Sequence, residues 1–465
     1  RLLIAAEAGM ETIRGRFTLV SGVQDDWSWL TTGSWTSLGT VVVNGTNVQL
    51  QANLLSGNSV PSARIRGIAS ASGRNRAVEQ TIKVASFSDY ALFSGSTSTT
   101  GIGAYFKMVG TFYSRGDINL NNYAGIEFFG ATSTSGVVTN FATPEGWAYN
   151  FKQGVTQGAA VITVPTAAYG ADPIKTRAIE LNTAYAGTSN FPNWSVPASG
   201  FLFYRNTQSL TFSSFTSGAV SGTQVTRTYW RRNAGSSTAY DDSWNYSLAS
   251  ETITLPQGQE ICIYVDTDQA PLGTDSWSAG VRNYYPATSQ VNVSGTLRNS
   301  RVTLYAEKDI HVVDNISYYS LLADPTLREQ ANKQSAGALG FTEMLGICAE
   351  DEIYFDFGSF TPKVSGNFGY HSPGNTYQYI LDGVFLGTYR AVINTAPAYS
   401  SASTELWVCG GLINTNYNTT GFGGYFTPRH YDWDWRLQST TPPFFLRAYN
   451  VTATFVPGTW RTYEL

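Results

Sequence analysis

The feature that most constrains the fold is one amphipathic helix at the start of the chain, followed almost entirely by short strand-like runs. Within residues 1–22, apolar side chains recur three or four positions apart, which is the spacing of one helix face, and the pattern stops near Gly22. Its members are Leu3, Ala6, Met10, Ile13, Phe17 and Val20. Later apolar runs are short and end in Gly, Asn, Ser or Thr. The sequence therefore predicts a mainly β protein with a single clear helix.

Composition and charge exclude several classes of protein. Aromatic residues outnumber charged ones, at 65 to 62 of 465 residues, and 42% of the chain is hydrophobic. Such a chain is too apolar to be disordered and too poor in Glu and Lys to form a coiled coil. The formal net charge of −4 excludes an overall basic protein dedicated to nucleic acids. Any polyanion site must therefore be a local patch.

Three cysteines, Cys262, Cys348 and Cys409, each lie in an apolar strand-like run. This number is too small for a disulfide framework, and we predict buried thiols. A Cys348–Cys409 bridge remains the alternative for an oxidising compartment.

Two hairpins are predicted after the helix. Asn44-Gly45 separates two alternating runs within residues 36–55, which is the strongest short signal of a hairpin. Ser72-Gly73 separates a second pair of runs, 66–71 and 77–85. A helix followed by a meander indicates a small α+β unit over residues 1–86.

From residue 87 the runs become shorter and are separated by Gly, Asn, Ser and Thr. The segment RVTLYAEKDIHVVDNI at 301–316 places strand, turn and strand in succession with no helix between them. One coil of a parallel β-solenoid has this form. No strict period is evident, so a β-sandwich or a meander remains the alternative.

Several segments, taken in order, resemble a bacterial surface family: the PilX-type type IV minor pilins and pseudopilins that carry an inserted β-solenoid. On the helix the similar segment is AAEAG at 5–9. The others are FSDYALFSGS at 87–96, GTFYSRGDINL at 110–120, SGTLRNSRVTLYAEKDIHVVDNISY at 294–318, LGICAEDEI at 345–353 and GGYFTPRHYDWDWRL at 423–437. The resemblance covers most of the chain but places no motif in residues 130–290.

The resemblance implies a pilin-like α+β domain, formed by the N-terminal helix and an antiparallel sheet, into which a large parallel β-solenoid is inserted. Residues 1–86 and 441–465 would form the pilin-like domain, with the helix over about 1–22, and residues 87–440 the solenoid. The last segment, LRAYNVTATFVPGTWRTYEL at 446–465, returns to long alternating strand character. This is expected of a chain that completes the first sheet.

The function implied by the resemblance is that of a minor pilin at the pilus tip, acting as a sequence-independent receptor for double-stranded DNA in natural transformation. Such a protein is extracytoplasmic and is first anchored in the inner membrane by the N-terminal half of its helix, which we expect to precede Arg1. It then lies at the cell surface beside other minor pilins or pseudopilins of the competence pilus. The predicted partner-binding helix face comprises Leu3, Met10, Ile13 and Phe17.

Charge segregation indicates where DNA would bind. No acidic residue lies between Asp26 and Glu79, or between Glu180 and Asp241, although each window contains four arginines. The second window interleaves them with aromatic residues at TYWRR, 228–232, a combination suited to phosphate contacts and stacking. The predicted DNA-binding residues are Arg74, Arg76, Arg231, Arg232, Lys83, Lys107 and Lys363.

Catalysis receives little support. The three histidines, His311, His371 and His430, have no metal-binding spacing, and no nucleophile elbow is present. We therefore predict neither an enzyme nor a cofactor, and the carboxylate pairs Asp266/Asp268 and Asp432/Asp434 leave only a structural Ca²⁺ ion or a lyase-like site as alternatives.

Two other functions remain open. One is a surface adhesin or carbohydrate-binding solenoid in which tryptophans stack on sugars; the candidates are Trp27, Trp29, Trp35, Trp230, Trp433 and Trp435. The other is a purely structural tip or priming pilin.

Overall fold

A computed structural model describes most of the chain. The described residues are 1–17, 27, 30–56, 62–103, 106–121, 125–141, 147–162, 200–205, 207–232, 246–266, 290–324, 342–364, 377–399, 403–414, 422, 425–426, 429–446, 453–456 and 458–464. Within these ranges the protein is mainly β, with one long helix at its start, which confirms the predicted fold class. No helix in this part of the chain is both long and apolar enough to cross a membrane.

The chain divides into two compact units. The helix–sheet unit comprises Arg1–Asp89, Ile162–Pro165 and Arg436–Leu465, and the coil unit comprises Tyr90–Val161 and Thr166–Trp435. The divisions at 89/90 and 435/436 lie beside the predicted domain boundaries at 86/87 and 440/441.

The helix–sheet unit is an antiparallel sheet with one helix packed on it. The helix α1 spans Leu2–Arg16, and the first four strands are β1 (Thr36–Val43), β2 (Thr46–Ser56), β3 (Ser62–Ala71) and β4 (Arg74–Lys83), each paired with the next. Asn44-Gly45 and Ser72-Gly73 form the two hairpin turns, and all four residues have positive φ. Both predicted hairpins are confirmed.

The C-terminal residues return to this sheet. The strands β29 (Thr454–Phe455) and β30 (Arg461–Glu464) both pair antiparallel with β4. One sheet therefore contains strands from both ends of the chain, and the coils are inserted between β4 and β29.

The apolar face of α1 is part of the unit's own core, which corrects the prediction that this face binds a partner. Met10, Ile13 and Phe17 are at most 3% exposed and belong to one cluster with residues of β2, β3 and β4. Of the four predicted contact residues, only Leu3 is exposed, at 38%. The helical spacing identified a buried face correctly, but the sheet of the same chain covers it. The helix also ends at Arg16, six residues before the predicted end at 22.

The first coils of the coil unit are three-sided. Their strands are β5 (Leu92–Ser94), β6 (Thr100–Gly101), β7 (Phe106–Val109), β8 (Phe112–Ser114), β9 (Ile118–Asn119), β10 (Glu127–Phe128), β11 (Thr132–Thr134), β12 (Val138–Thr139) and β13 (Val155–Gln157), with a short helix α2 (Trp147–Asn150). Leu92, Phe112 and Thr132 are paired in parallel register, so successive coils are offset by 20 residues. A strict local period is therefore present, contrary to the sequence analysis.

The remaining coils form a second run that ends on the first. The central ladder of parallel strands has the order β14–β18–β20–β22–β25–β27–β5–β8–β11–β13. The strands that complete it are β14 (Phe201–Arg205), β18 (Glu260–Asp266), β20 (Arg301–Ala306), β22 (Met344–Ala349), β25 (Tyr377–Gly387) and β27 (Thr404–Asn414). Because β27 pairs with β5, the last coil of the second run stacks on the first coil of the first run.

Other strands flank this ladder. They are β15 (Thr207–Ser217), β16 (Val220–Arg232), β17 (Tyr246–Pro256), β19 (Gln290–Leu297), β21 (Asp309–Tyr318), β23 (Glu352–Asp356), β24 (Lys363–Val364), β26 (Arg390–Thr395) and β28 (Arg429–Asp432), with a helix α3 (Tyr319–Ala323). β15, β16 and β17 form an antiparallel meander, which joins the parallel coils where β15 pairs with β19. The region without family motifs is thus partly coil and partly meander.

In-register stacking explains the aromatic content. Phe93 stacks on Tyr113, and Tyr264 on Tyr305, with ring centroids 4.9 Å apart in each pair. Each pair is directly opposed in adjacent parallel strands. Cys262, Cys348 and Cys409 are buried and not joined in disulfides, which confirms the prediction of buried thiols.

Candidate nucleic-acid interface

Lys83 cannot contact DNA, which corrects its prediction. Its side chain is 0% exposed, and its ammonium group forms an ion pair with Asp89. Asp89 also accepts a hydrogen bond from the backbone N–H of Ser86, at 3.2 Å. A buried charge is retained only when it is paired. Lys83 therefore has a structural role at the end of β4.

Lys107 is accessible but is partly neutralised by the next coil. Its side chain is 63% exposed, and its Nζ lies 3.4 Å from Glu127 Oε2. Lys152 Nζ contacts the other oxygen of the same carboxylate at 3.1 Å. Burial would raise the pKa of Glu127, but its bonds to Lys152 and Lys107 outweigh burial and lower it. We call these three residues the lysine ladder; its formal charge is +1.

The predicted arginines of the first window are exposed. Arg74 and Arg76 begin β4, opposite Ala71 and Ala69. Arg76 forms an ion pair with Glu464 of β30. Both arginines are therefore at the surface, and one has a carboxylate partner.

The other predicted cations contribute less. Lys363 is half-buried in β24, opposite Gln378. Arg231 and Arg232 pair through their backbones with Ser247 and Tyr246, and their side chains lie outside what the structure describes. The predicted cations thus occupy separate places in two units, and the structure shows no contact that joins them among the described residues.

A fourth arginine of the second window, Arg227, is fully buried. Its guanidinium lies between the rings of Tyr204 and Tyr229, 4.4 and 4.3 Å from their centroids, and its Nε donates to Thr207 Oγ1 at 2.9 Å. Burial lowers the pKa of Arg227 to about 10. An acid-free window can therefore supply a cation to the core as well as to the surface.

A cluster of three arginines was missed by the sequence analysis as a site. On the sheet face opposite α1, Arg66 of β3, Glu79 of β4 and Arg461 of β30 are directly opposed across three adjacent strands. Arg64, two residues before Arg66, reaches Glu79 Oε1 with its Nε at 3.2 Å. We call Arg64, Arg66 and Arg461 together with Glu79 the arginine face; its formal charge is +2.

Arg66 is held by neutral groups. Its guanidinium stacks over Trp35, 3.9 Å from the ring centroid, and donates to Gln51 Oε1 at 2.5 Å and to Tyr463 Oη at 3.2 Å. Tyr463 in turn donates to Glu79 Oε2 at 3.0 Å. The alternation of Arg64 and Arg66 indicated a shared face, but nothing in the sequence indicated that β30 would lie beside it.

Most of the tryptophans proposed for sugar stacking have other surroundings. Trp27 is fully buried, Trp433 is 5% exposed, and Trp35 is covered by Arg66. These positions correct the proposed stacking role of Trp27 and Trp433. Trp29 and the side chain of Trp230 lie outside the described residues.

The candidate acid–base residues are engaged in local pairs. His311 Nδ1 lies 2.6 Å from Asp356, and His430 Nε2 lies 2.7 Å from the buried Glu405. In the described ranges, no group of three or more His, Cys, Asp or Glu residues could hold a metal ion. His371 and Asp268 fall outside these ranges. The absence of an enzymatic activity and of a cofactor stays a prediction.

Comparison with known proteins gives one structural likeness. No family model matches the sequence, and no curated protein matches it. Among solved structures, the chain is similar to the competence-associated pilin ComZ from Thermus thermophilus, at a TM-score of 0.31 and 11% sequence identity, over 100% of this chain and 97% of that one. At these values the likeness does not establish a shared family, so the resemblance to the minor pilins stays a prediction.

Proposed function

We propose that this chain is a pilin-like subunit of a type IV pilus that binds double-stranded DNA without reading its sequence. The observation that carries the proposal is the topology of the helix–sheet unit. A helix packs on an antiparallel sheet, both ends of the chain contribute to that sheet, and the coils are inserted between two of its strands. This is the arrangement that the family resemblance implied.

DNA binding is supported by the distribution of exposed cations. Arg74, Arg76 and Lys107 are exposed on a protein whose net charge is −4. A few such residues can neutralise phosphates and release counterions, which gives salt-sensitive binding to any sequence. The acidic remainder of the protein keeps the affinity modest, as a receptor that must release its DNA requires.

The direct test is a gel shift of the full chain with unrelated duplexes. We expect binding at low salt that weakens steeply between 50 and 200 mM salt, by about three orders of magnitude if six phosphates are contacted. Arg74→Gln/Arg76→Gln should weaken binding equally for all sequences. The matched control is Arg14→Gln/Arg16→Gln, since Arg14 pairs with Glu11 and Arg16 donates to the carbonyl of Leu38. Absence of binding at low salt, or salt-independent binding, would contradict the proposal.

The place in the pilus requires a cellular test. We propose an extracytoplasmic protein, anchored in the inner membrane before assembly and then located at the pilus tip with other minor pilins. Deletion of the gene should abolish DNA uptake while pili persist. Loss of uptake and pili together would favour the structural role of a priming pilin.

A further inference from the structure

The arginine face has a charge that its own residues do not balance. Glu79, 7% exposed, is its one carboxylate, and both oxygens of Glu79 are engaged, one by Arg64 and one by Tyr463. Among the described residues, no hydrogen bond or ion pair holds the exposed Arg461, and no carboxylate pairs with Arg66. Three cations therefore share one anion.

Arg66 is fixed in position before any ligand arrives. Stacking on Trp35 and bonds to Gln51 and Tyr463 occupy one ring-facing side and two nitrogens of its guanidinium. A planar guanidinium held in this way loses little conformational freedom when it binds an oxyanion. A half-buried cation without a carboxylate is also stabilised when an anion joins it.

The surroundings of the arginine face would not repel an anion. On the neighbouring strand β2, the residues with the same orientation are Asn47, Gln49, Gln51 and Asn53, all neutral amides that can donate hydrogen bonds. Asn47 and Gln49 are exposed. An approaching polyanion would therefore meet arginines and amides on a flat sheet.

We propose that the arginine face binds the phosphate backbone of DNA; this rests on the proposed function and assigns a site to it. Arg64 and Arg66, two residues apart on one strand, are separated by about 7 Å, and Arg461 lies two strands from Arg66, about 10 Å away. A duplex carries one negative charge per about 1.7 Å of its axis, so the face can contact more than one phosphate. Because the contacts are to phosphates, they carry no sequence preference.

The test is fluorescence anisotropy of a labelled duplex and calorimetry with inorganic polyphosphate, on the full chain. Arg64→Gln/Arg461→Gln should lower DNA affinity at least about tenfold at 0.1 M salt and reduce the slope of log K against log salt by about 1.8. Arg64→Lys/Arg461→Lys should restore most of the affinity. Arg115→Gln/Lys152→Gln removes the same charge from exposed positions in the coil unit and should leave the slope change absent. Melting curves establish that each variant is folded, and Arg461→Gln alone serves if the double variant is not.

The outcomes separate this inference from the proposed function. If the wild type binds DNA and Arg64→Gln/Arg461→Gln binds it as well as the control does, the arginine face is not the site. If the wild type binds polyphosphate but not DNA, and the variant loses polyphosphate, the phosphate site stands and the DNA-receptor function fails. Binding of neither polyanion by the wild type overturns both.

Discussion

The arginine face and the lysine ladder both place cations on a β-sheet surface, but they differ in how their neighbours arrive. On the ladder, Glu127 lies opposite Lys107 because successive coils are offset by 20 residues. On the arginine face, the neighbours of Arg66 come from a hairpin and from the C-terminal strand. Parallel coils therefore supply a nearby acid that an acid-free window does not reveal, whereas the antiparallel sheet brings together arginines that are far apart in sequence.

The comparison assumes that both surfaces rest on rigid packing, and glycine substitutions test this with the largest expected effect. A Cβ on Gly67 would lie 2.4 Å from the carbonyl oxygen of Ala6 in α1, and a Cβ on Gly130 would lie 1.9 Å from that of Gly110, one coil earlier. We expect Gly67→Ala and Gly130→Ala each to lower the free energy of unfolding by about 3 kcal/mol, because backbone atoms must move.

The matched control is Gly15→Ala. No atom lies within 4 Å of a Cβ built on this helical glycine. It should raise the free energy of unfolding by about 0.5–1 kcal/mol in the same urea titration. A Gly67→Ala variant as stable as Gly15→Ala would mean that the helix does not lie this close to the sheet.

Glu79→Gln removes the one carboxylate of the arginine face. We expect the free energy of unfolding to fall by about 2 kcal/mol, since Arg64 loses its charged partner and Tyr463 donates to a weaker acceptor. DNA affinity at low salt should rise, because the formal charge of the face changes from +2 to +3. Denaturant titration and anisotropy measure the two effects separately; lower affinity in a folded variant would contradict the assignment of this face.

Glu127→Gln is the equivalent change on the lysine ladder, and its effect on stability should be smaller. Lys107 is largely exposed, and exposed ion pairs contribute less than about 1 kcal/mol. The lowered pKa of Glu127 predicts the pH dependence: its contribution is present above the unfolded value near 4.5 and is lost as pH falls through the lower folded value. Wild type and Glu127→Gln should therefore differ in stability at pH 6 and converge at pH 3. A difference that persists at pH 3 would show that the ion pairs are not its cause.

The smallest expected effect is that of Arg66→Lys. The charge is kept, but the planar group that stacks on Trp35 and reaches two acceptors is lost. We expect the salt slope of DNA binding to stay unchanged and the affinity to fall about threefold, within the scale of an exposed cation–π contact. A change in the slope would indicate that Arg66 is more than an oriented contact.

Local sequence patterns predicted the elements of the fold well where a short stretch decides the outcome. Asn44-Gly45 and Ser72-Gly73 set their hairpins because positive φ at both positions fixes the turn. The coil period could also have been seen, since Gly110 and Gly130 precede corresponding strands 20 residues apart. It was obscured because the second run has coils of unequal length.

The candidate site was much less predictable than the fold. Lys83 and Lys107 have equal charge and neighbouring positions in sequence, yet one is 0% and the other 63% exposed. The α1 stripe was predicted to bind a partner, although β2, β3 and β4 cover it. Burial depends on contacts between distant segments, and periodicity reports only that a face is apolar.

The sequence by itself determined the mainly β class, the helix, the hairpins, the buried thiols and the shortage of charge, because these follow from composition and from spacing over a few residues. Only the tertiary structure decided which cations are available. Strand pairing brings Arg461 to Arg66 and Glu127 to Lys107, and the interaction of charges depends on their separation in space and on their exposure to water.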